Sequence, residues 1–259
     1  MAKTAAPLGQ HFLKNPHYAQ VLTREAGITL EDTVLEIGPG EGMLTRELLK
    51  AGKRVLAVER DPALIEKLPS IFPEEVASGK LQIIAEDARD VSPQHLGLES
   101  GQYVLAANIP YYITGELLRK FLETETQPRT ICFLVQKEVA QRVVDDKESI
   151  LSISVKAYGS PRIAAKVSAG NFNPPPKVDS AILVVQNISK HNFVDISEER
   201  FFEIVRQGFS SKRKMLAGNL AEKFGRQSVL ETFKKEGIDP RARAETIHVA
   251  EWLKLAATL

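Results

Sequence analysis

Apolar positions along residues 16 to about 136 follow two alternating rhythms: stretches with helical spacing, and short runs that are apolar almost throughout. That alternation predicts parallel strands covered by helices on both faces, a doubly wound α/β sheet. The strands fall at Thr33 to Ile37, Arg54 to Glu59, Leu81 to Ala85, Tyr103 to Ala107 and Thr130 to Gln136. Helices begin near Gly42, Asp61, Thr114 and Lys137, with Asp61-Pro62 a good N-cap and first-turn pair. Ile150 to Ala157, Arg162 to Val167 and Ala181 to Gln186 read as further strands that complete the sheet, the rigid Asn173-Pro174-Pro175-Pro176 stretch lying between the last two. After Ile188 the β-branched runs stop and the pattern is helical to Leu259. A boundary near residue 190 follows, between a main domain of 1–189 and a small α-helical domain of 190–259.

Composition narrows the setting. A hydrophobic content of 43% with 26% charged residues suits a soluble globular protein, and no apolar run is long enough to span a bilayer, so no membrane role is expected. Met1 to Gly9 has no apolar segment of signal-peptide length, and the lone Cys132 can form no internal disulfide; both point to a reducing, cytoplasmic setting. Cys132 lies in the apolar run Ile131 to Val135, where a buried structural thiol is expected rather than a reactive one. A net charge of +1 is not that of a generally basic nucleic-acid binder, so any RNA footprint must be local. Arg206, Lys212, Arg213 and Lys214 form such a cluster at the start of the helical domain, suited to phosphates, and Arg142 and Lys177 are further candidates. A solvated helix face is the plain alternative.

The segment Val34-Leu35-Glu36-Ile37-Gly38-Pro39-Gly40-Glu41-Gly42 runs from a strand into a helix, and its glycines let the backbone approach a ligand closely. The dinucleotide fingerprint wants a small residue three places after the second glycine, where this chain has Met43, which disfavours NAD. Glu36, just before the loop, would oppose a pyrophosphate but suits a ligand carrying sulfonium and ammonium cations, such as S-adenosyl-L-methionine (SAM). Glu59 closes the second strand, where an acid commonly accepts both ribose hydroxyl protons. Asp87 follows the third, where it can take a hydrogen bond from an adenine amino group. Each alone is also compatible with a tight turn or a solvated acid; three in register point to SAM.

Asn108-Ile109-Pro110-Tyr111-Tyr112 ends the fourth strand at the carboxyl edge of the sheet, where open α/β folds bind ligands. An exocyclic adenine nitrogen is a poor nucleophile because its lone pair is delocalised, so an enzyme must hold it pyramidal and aimed at the methyl carbon. The Asn108 oxygen and the Ile109 or Pro110 carbonyl can accept its amino hydrogens, and Tyr111 offers a ring for an extruded base; this chemistry calls for no metal. Phe172, beside the triple proline, can form the opposite wall or simply pack in the core.

These strings, with Gly9-Gln10-His11-Phe12-Leu13, Gln136-Lys137-Glu138-Val139-Ala140-Gln141-Arg142 and Phe172-Asn173-Pro174-Pro175-Pro176-Lys177-Val178-Asp179-Ser180, resemble the ribosomal RNA adenine dimethyltransferases over nearly the whole chain. The string around Lys137, and Gly208 to Leu216 followed by Asn219-Leu220, resemble the small-subunit branch rather than the large-subunit enzymes that confer macrolide resistance. The resemblance implies a Rossmann-like SAM-methyltransferase sheet, and SAM contacts from His11, Leu13, Gly38, Glu59, Asp87 and Asn108, to which the glycine-loop reading adds Gly40. It further implies a base pocket of Asn108, Tyr111 and Phe172, to which the carbonyl-acceptor argument adds Pro110. The implied substrate is two adjacent adenosines near the 3′ end of small-subunit (16S) rRNA in an immature 30S subunit, met by a monomer. A role mainly as a subunit-assembly factor is the alternative of a different class. Two departures stand out: His11 where the family usually has asparagine, and Tyr112 at a place often held by asparagine.

Overall fold

The structure, a computed structural model, describes residues 11–259; the leader expectation for Met1 to Gly9, and Gly9-Gln10 of the first motif, lie outside the described residues. Nine strands occur among them: β1 (Phe12–Leu13), β2 (Thr33–Ile37), β3 (Arg54–Glu59), β4 (Leu81–Ala85), β5 (Tyr103–Asn108), β6 (Thr130–Gln136), β7 (Ser160–Val167), β8 (Phe172–Asn173) and β9 (Ser180–Gln186). Seven form one sheet in the order β4-β3-β2-β5-β6-β9-β7. The pairs from β4 to β6 are parallel, and β9 runs antiparallel between β6 and β7. The central runs are buried on both faces, as the near-continuous apolar character of β5 and β6 requires. Chain order reverses between β2 and β5, so a crevice opens beyond their carboxyl ends, the usual ligand position in such sheets.

Helices α1 (Pro16–Glu25), α2 (Met43–Ala51), α3 (Pro62–Ile71), α4 (Pro73–Ala77) and α5 (Thr114–Glu123) belong with this sheet. Asn15 and Asp61 cap α1 and α3 by accepting from the backbone N–H groups of His17 and Ala63, each ahead of a proline that needs no such partner. The short β1 and β8 pair antiparallel as a separate two-stranded sheet, Phe12 opposite Asn173 and Leu13 opposite Phe172.

By its own contacts the chain divides into two compact units, residues 1–140 with 160–188, and residues 141–159 with 189–259. A single cut near 190 therefore does not describe it, because 141–159 groups with the helical unit. The expected strand Ile150 to Ala157 is helix α7 (Ile150–Lys156), the first after α6 (Lys137–Val144). Ser149 and Ser152 form a reciprocal capping box at its start, and the Ser154 hydroxyl donates to the Ile150 carbonyl one turn back. Those local bonds satisfy the helix and override the apolar alternation that reads as strand. The second unit continues with α8 (Glu198–Gly208), α9 (Leu216–Phe224), α10 (Arg226–Glu236) and α11 (Val249–Thr258). Its core contains Phe201, Phe233 and Trp252, all fully buried, with Trp252 stacked on Phe209 at 5.7 Å.

Candidate active site

Beyond the carboxyl ends of β2, β3, β4 and β5 lies a cavity enclosing about 990 Å³, open solvent at its mouth included. His11, Leu13, Gly38, Gly40, Glu59, Asp87, Asn108, Pro110 and Tyr111 all line it, so the sheet brings together nine of the ten residues expected at the cofactor and base sites. Phe172 is the exception and corrects the expectation that it walls the cavity. Pairing of β8 with β1 turns it into the core beside Leu13, where it is 1% exposed. A fully buried phenylalanine contributes roughly 1.5–3 kcal/mol to stability by leaving water, so its place there has ample physical cause. It backs the β1 wall instead of facing the cavity.

The glycine loop is close-fitting. Gly38, Gly40 and Gly42 all have positive φ, and a Cβ on Gly40 would lie 3.0 Å from the Phe12 ring. On Gly42 it would fall 2.5 Å from the Phe72 ring. Glu59 holds this loop: one carboxylate oxygen accepts from the Gly40 N–H at 3.3 Å, while the other accepts from Arg60 and Asp61 N–H at 2.9 and 3.0 Å.

Glu36 does not line the cavity but is wholly buried beside β2's neighbours. Neither of its oxygens has a well-formed hydrogen bond among the described residues. Desolvation pushes its carboxyl up to about 8, with the Thr45 hydroxyl lowering it somewhat and the Glu59 charge raising it. Asp87 is the opposite case. The Arg89 side chain grips it through two nitrogens at 3.0 and 2.7 Å and Arg60 adds a bond at 3.2 Å, so that, despite some desolvation, its carboxyl stays far below the usual carboxylate range.

On the substrate side, the Asn108 amide nitrogen donates to the His11 carbonyl at 3.2 Å, which leaves its oxygen as the free end. Tyr111 is fixed by a 2.7 Å bond between its hydroxyl and that of Ser180 on β9, and one ring face is covered by the His11 imidazole at 5.6 Å. Burial raises the Tyr111 phenol above its ordinary value, the Ser180 bond offsetting part of this. His11 is itself held by the Pro174 carbonyl, 2.7 Å from Nδ1. A carbonyl can only accept, so Nδ1 carries the hydrogen.

The triple-proline string thus acts through Pro174 and Ser180, which brace His11 and Tyr111; reading the string for an aromatic wall missed both. Arg60, Met43 and Tyr112 also line the cavity without having been foreseen as contacts, although Arg60 directly follows the strand-ending Glu59 and so was findable by position.

The basic candidates fall on both units. Lys177 precedes β9 in the first, and Arg142, Arg206, Lys212, Arg213 and Lys214 belong to the second. Lys214 pairs with Glu222 at 2.6 Å, whereas Arg206, Lys212 and Arg213 are exposed and have no ion-pair partner among the described residues. The loop bearing them is shaped by the buried Asn219, whose amide donates to the carbonyls of Gly208 at 2.6 Å and Ser211 at 3.0 Å.

The family model for ribosomal RNA adenine dimethylase matches residues 1–259. The chain belongs to this family. Among its dimethylase relatives, a ribosomal RNA small subunit methyltransferase A from Dehalococcoides mccartyi is 40% identical over 252 residues, 96% of this chain and 86% of that one. A protein of the same name from Clostridium botulinum is 34% identical over 254 residues, covering 96% and 91%. Two solved structures are similar throughout. A dimethyladenosine transferase from Plasmodium falciparum has 26% identity and a TM-score of 0.76, covering 95% of this chain and 96% of that one. The 23S rRNA methyltransferase ErmE has 25% identity and a TM-score of 0.75, covering 96% and 99%. The dimethylase sheet is accordingly Rossmann-like in architecture and the chain is an rRNA adenine dimethyltransferase.

Proposed function

We propose that this enzyme transfers methyl groups from SAM to the exocyclic N6 of adenine in small-subunit (16S) rRNA. Each of two adjacent adenosines near the 3′ end is dimethylated, and the substrate is an immature 30S subunit met by a cytoplasmic monomer. The observation that carries this is the meeting of Glu59, Asp87 and the Asn108-to-Tyr111 string on one cavity. The small-subunit names of the relatives at 34–40% identity favour that branch over the large-subunit one.

The residues present fit SAM. Positive-φ glycines let the backbone come close where a Cβ would strike Phe12, the ionised Asp87 can accept from an adenine amino group, and Glu59 stands at the strand end suited to ribose hydroxyls. His11, Leu13, Gly38 and Gly40 complete the lining. When bound, SAM supplies an electrophilic methyl group on a sulfonium centre. Asn108 Oδ1 and the Ile109 or Pro110 carbonyl accept the amino hydrogens of the base and hold N6 pyramidal; orientation of this kind is worth up to about 7–11 kcal/mol. Tyr111 offers its ring to the extruded adenine on the face that His11 leaves uncovered. Arg206, Lys212 and Arg213, with Lys214, Arg142 and Lys177, meet RNA phosphates.

The test is transfer of labelled methyl from SAM to undermethylated small subunits, followed by nucleoside analysis, with Asn108→Ala alongside. Dimethyladenosine made by the wild type and lost in the variant is the expected result. Particle binding with no methyl deposited would replace catalysis by an assembly role, and activity on large-subunit RNA alone would select the other branch.

A further inference from the structure

The rim of the cavity carries one aromatic ring to which the function above gives no task. Tyr112 follows the Asn-Ile-Pro-Tyr string, lines the cavity and is 63% exposed, while its neighbour Tyr111 is tucked against His11 and Ser180. No other ring stacks on Tyr112 among the described residues. Its hydroxyl, however, is tethered. Arg60 Nη2 donates to it at 3.0 Å, and Nη1 of the same guanidinium donates to Asp87 Oδ2 at 3.2 Å. The phenol is therefore fixed at its polar end while the residue stays largely exposed, at the mouth of a site that takes in a base.

We propose that Tyr112 is a stacking site for a second nucleobase, the one adjoining the target adenine in the RNA strand. This rests on the RNA reading given above. Drawing an adenine out of its stack into the cavity leaves the adjoining base with one face exposed to water. An exposed, tethered aromatic ring at the rim returns that lost stacking, and because every base has a π face it does so whatever the base is. Tyr112 thus contributes affinity and register to substrate binding rather than base identity, and Arg60 is a positioning residue that holds the ring at the rim. Its second bond, to the acid expected at the cofactor's adenine, leaves one rival to distinguish: a ring that closes over the cofactor.

The experiment compares Tyr112→Ala, Tyr112→Phe and Tyr112→Trp in two measurements: steady-state methylation of undermethylated small subunits at saturating SAM, and SAM binding without RNA. Base-to-aromatic stacking predicts that Tyr112→Ala raises KM for the particle by roughly 5- to 100-fold with kcat little changed. SAM affinity should stay at the wild-type value, which also shows that the variant is folded. Phenylalanine and tryptophan, which keep a π face, should restore KM to within a few-fold. An unchanged KM in Tyr112→Ala overturns the proposal. So does a loss of SAM affinity in that variant, which would make the ring a cofactor lid, or a Phe variant as impaired as Ala, which would make the hydroxyl tether the active feature. Failure of the wild type to methylate small subunits sinks the RNA reading first and this proposal with it, and is seen before any variant is compared.

Discussion

Replacing Glu36 by glutamine removes a buried titratable carboxyl while keeping its shape, and the consequence can be worked out from the fold. The Glu36 carboxyl is held at about 8 against an ordinary 4.5, chiefly because its site is fully desolvated. Between those values the folded protein keeps the proton and the unfolded chain releases it, so stability is complete below about 4.5 and falls as pH rises towards 8. At ~1.36 kcal/mol per pH unit the whole interval amounts to about 5 kcal/mol, of which about 3 kcal/mol is lost between about pH 5.5 and about pH 8.5. Glutamine does not titrate. Glu36→Gln should therefore lose about 3 kcal/mol less than the wild type over that window, read from urea midpoints and slopes at the two pH values without cofactor. SAM should narrow the difference at high pH, since a cationic ligand beside the loop favours the ionised carboxylate. An identical pH dependence in the two proteins would refute the reasoning: Glu36 would then be ionised in the fold and stabilised by a partner such as Thr45.

Two further outcomes follow from packing. Gly42→Ala puts a Cβ 2.5 Å from the Phe72 ring at φ +81°, whereas Gly101→Ala is strained by its φ of +74° alone, with nothing within 4 Å. The first should cost about 1–3 kcal/mol more than the second, a further drop in Tm of roughly 2–10 °C; equal melting temperatures would show that Phe72 yields freely. Cys132 is fully buried, its thiol donates to the Leu22 carbonyl at 3.4 Å, and burial pushes its pKa well up. It should resist a thiol reagent in the native protein and react at once in denaturant, and rapid native labelling would contradict this.

The sheet was readable in advance because its strands are short, buried runs that end at chemistry-bearing residues: β2 runs into the glycine loop, β3 ends on Glu59, β5 on Asn108. Each strand end could be placed without knowing its neighbours. Four things could not be read this way. Ile150 to Lys156 alternates apolar and polar positions over too short a span for period alone to tell strand from helix, and only the Ser149–Ser152 cap decides it. Phe172 looked like a cavity wall because aromatic character says nothing about which way a two-residue strand turns; its pairing with Leu13 does. Arg60 and Tyr112 are 52 positions apart and meet through one hydrogen bond, so no local pattern links them. Pro174 and Ser180 were noticed as a string, but their work is done on His11 and Tyr111, far away in sequence.

The pairing of β1 with β8 also sets an order of events during synthesis. Phe12 and Leu13 are among the first described residues to leave the ribosome, yet the strand that holds them in the cavity wall ends at Asn173. Contacts that span so much chain form late, after more local structure is in place. A nascent chain stopped before residue 172 contains every residue proposed to touch the cofactor but lacks the strand that pairs with Phe12 and Leu13. The β1 wall of the cavity is therefore completed only when about two-thirds of the protein has been made.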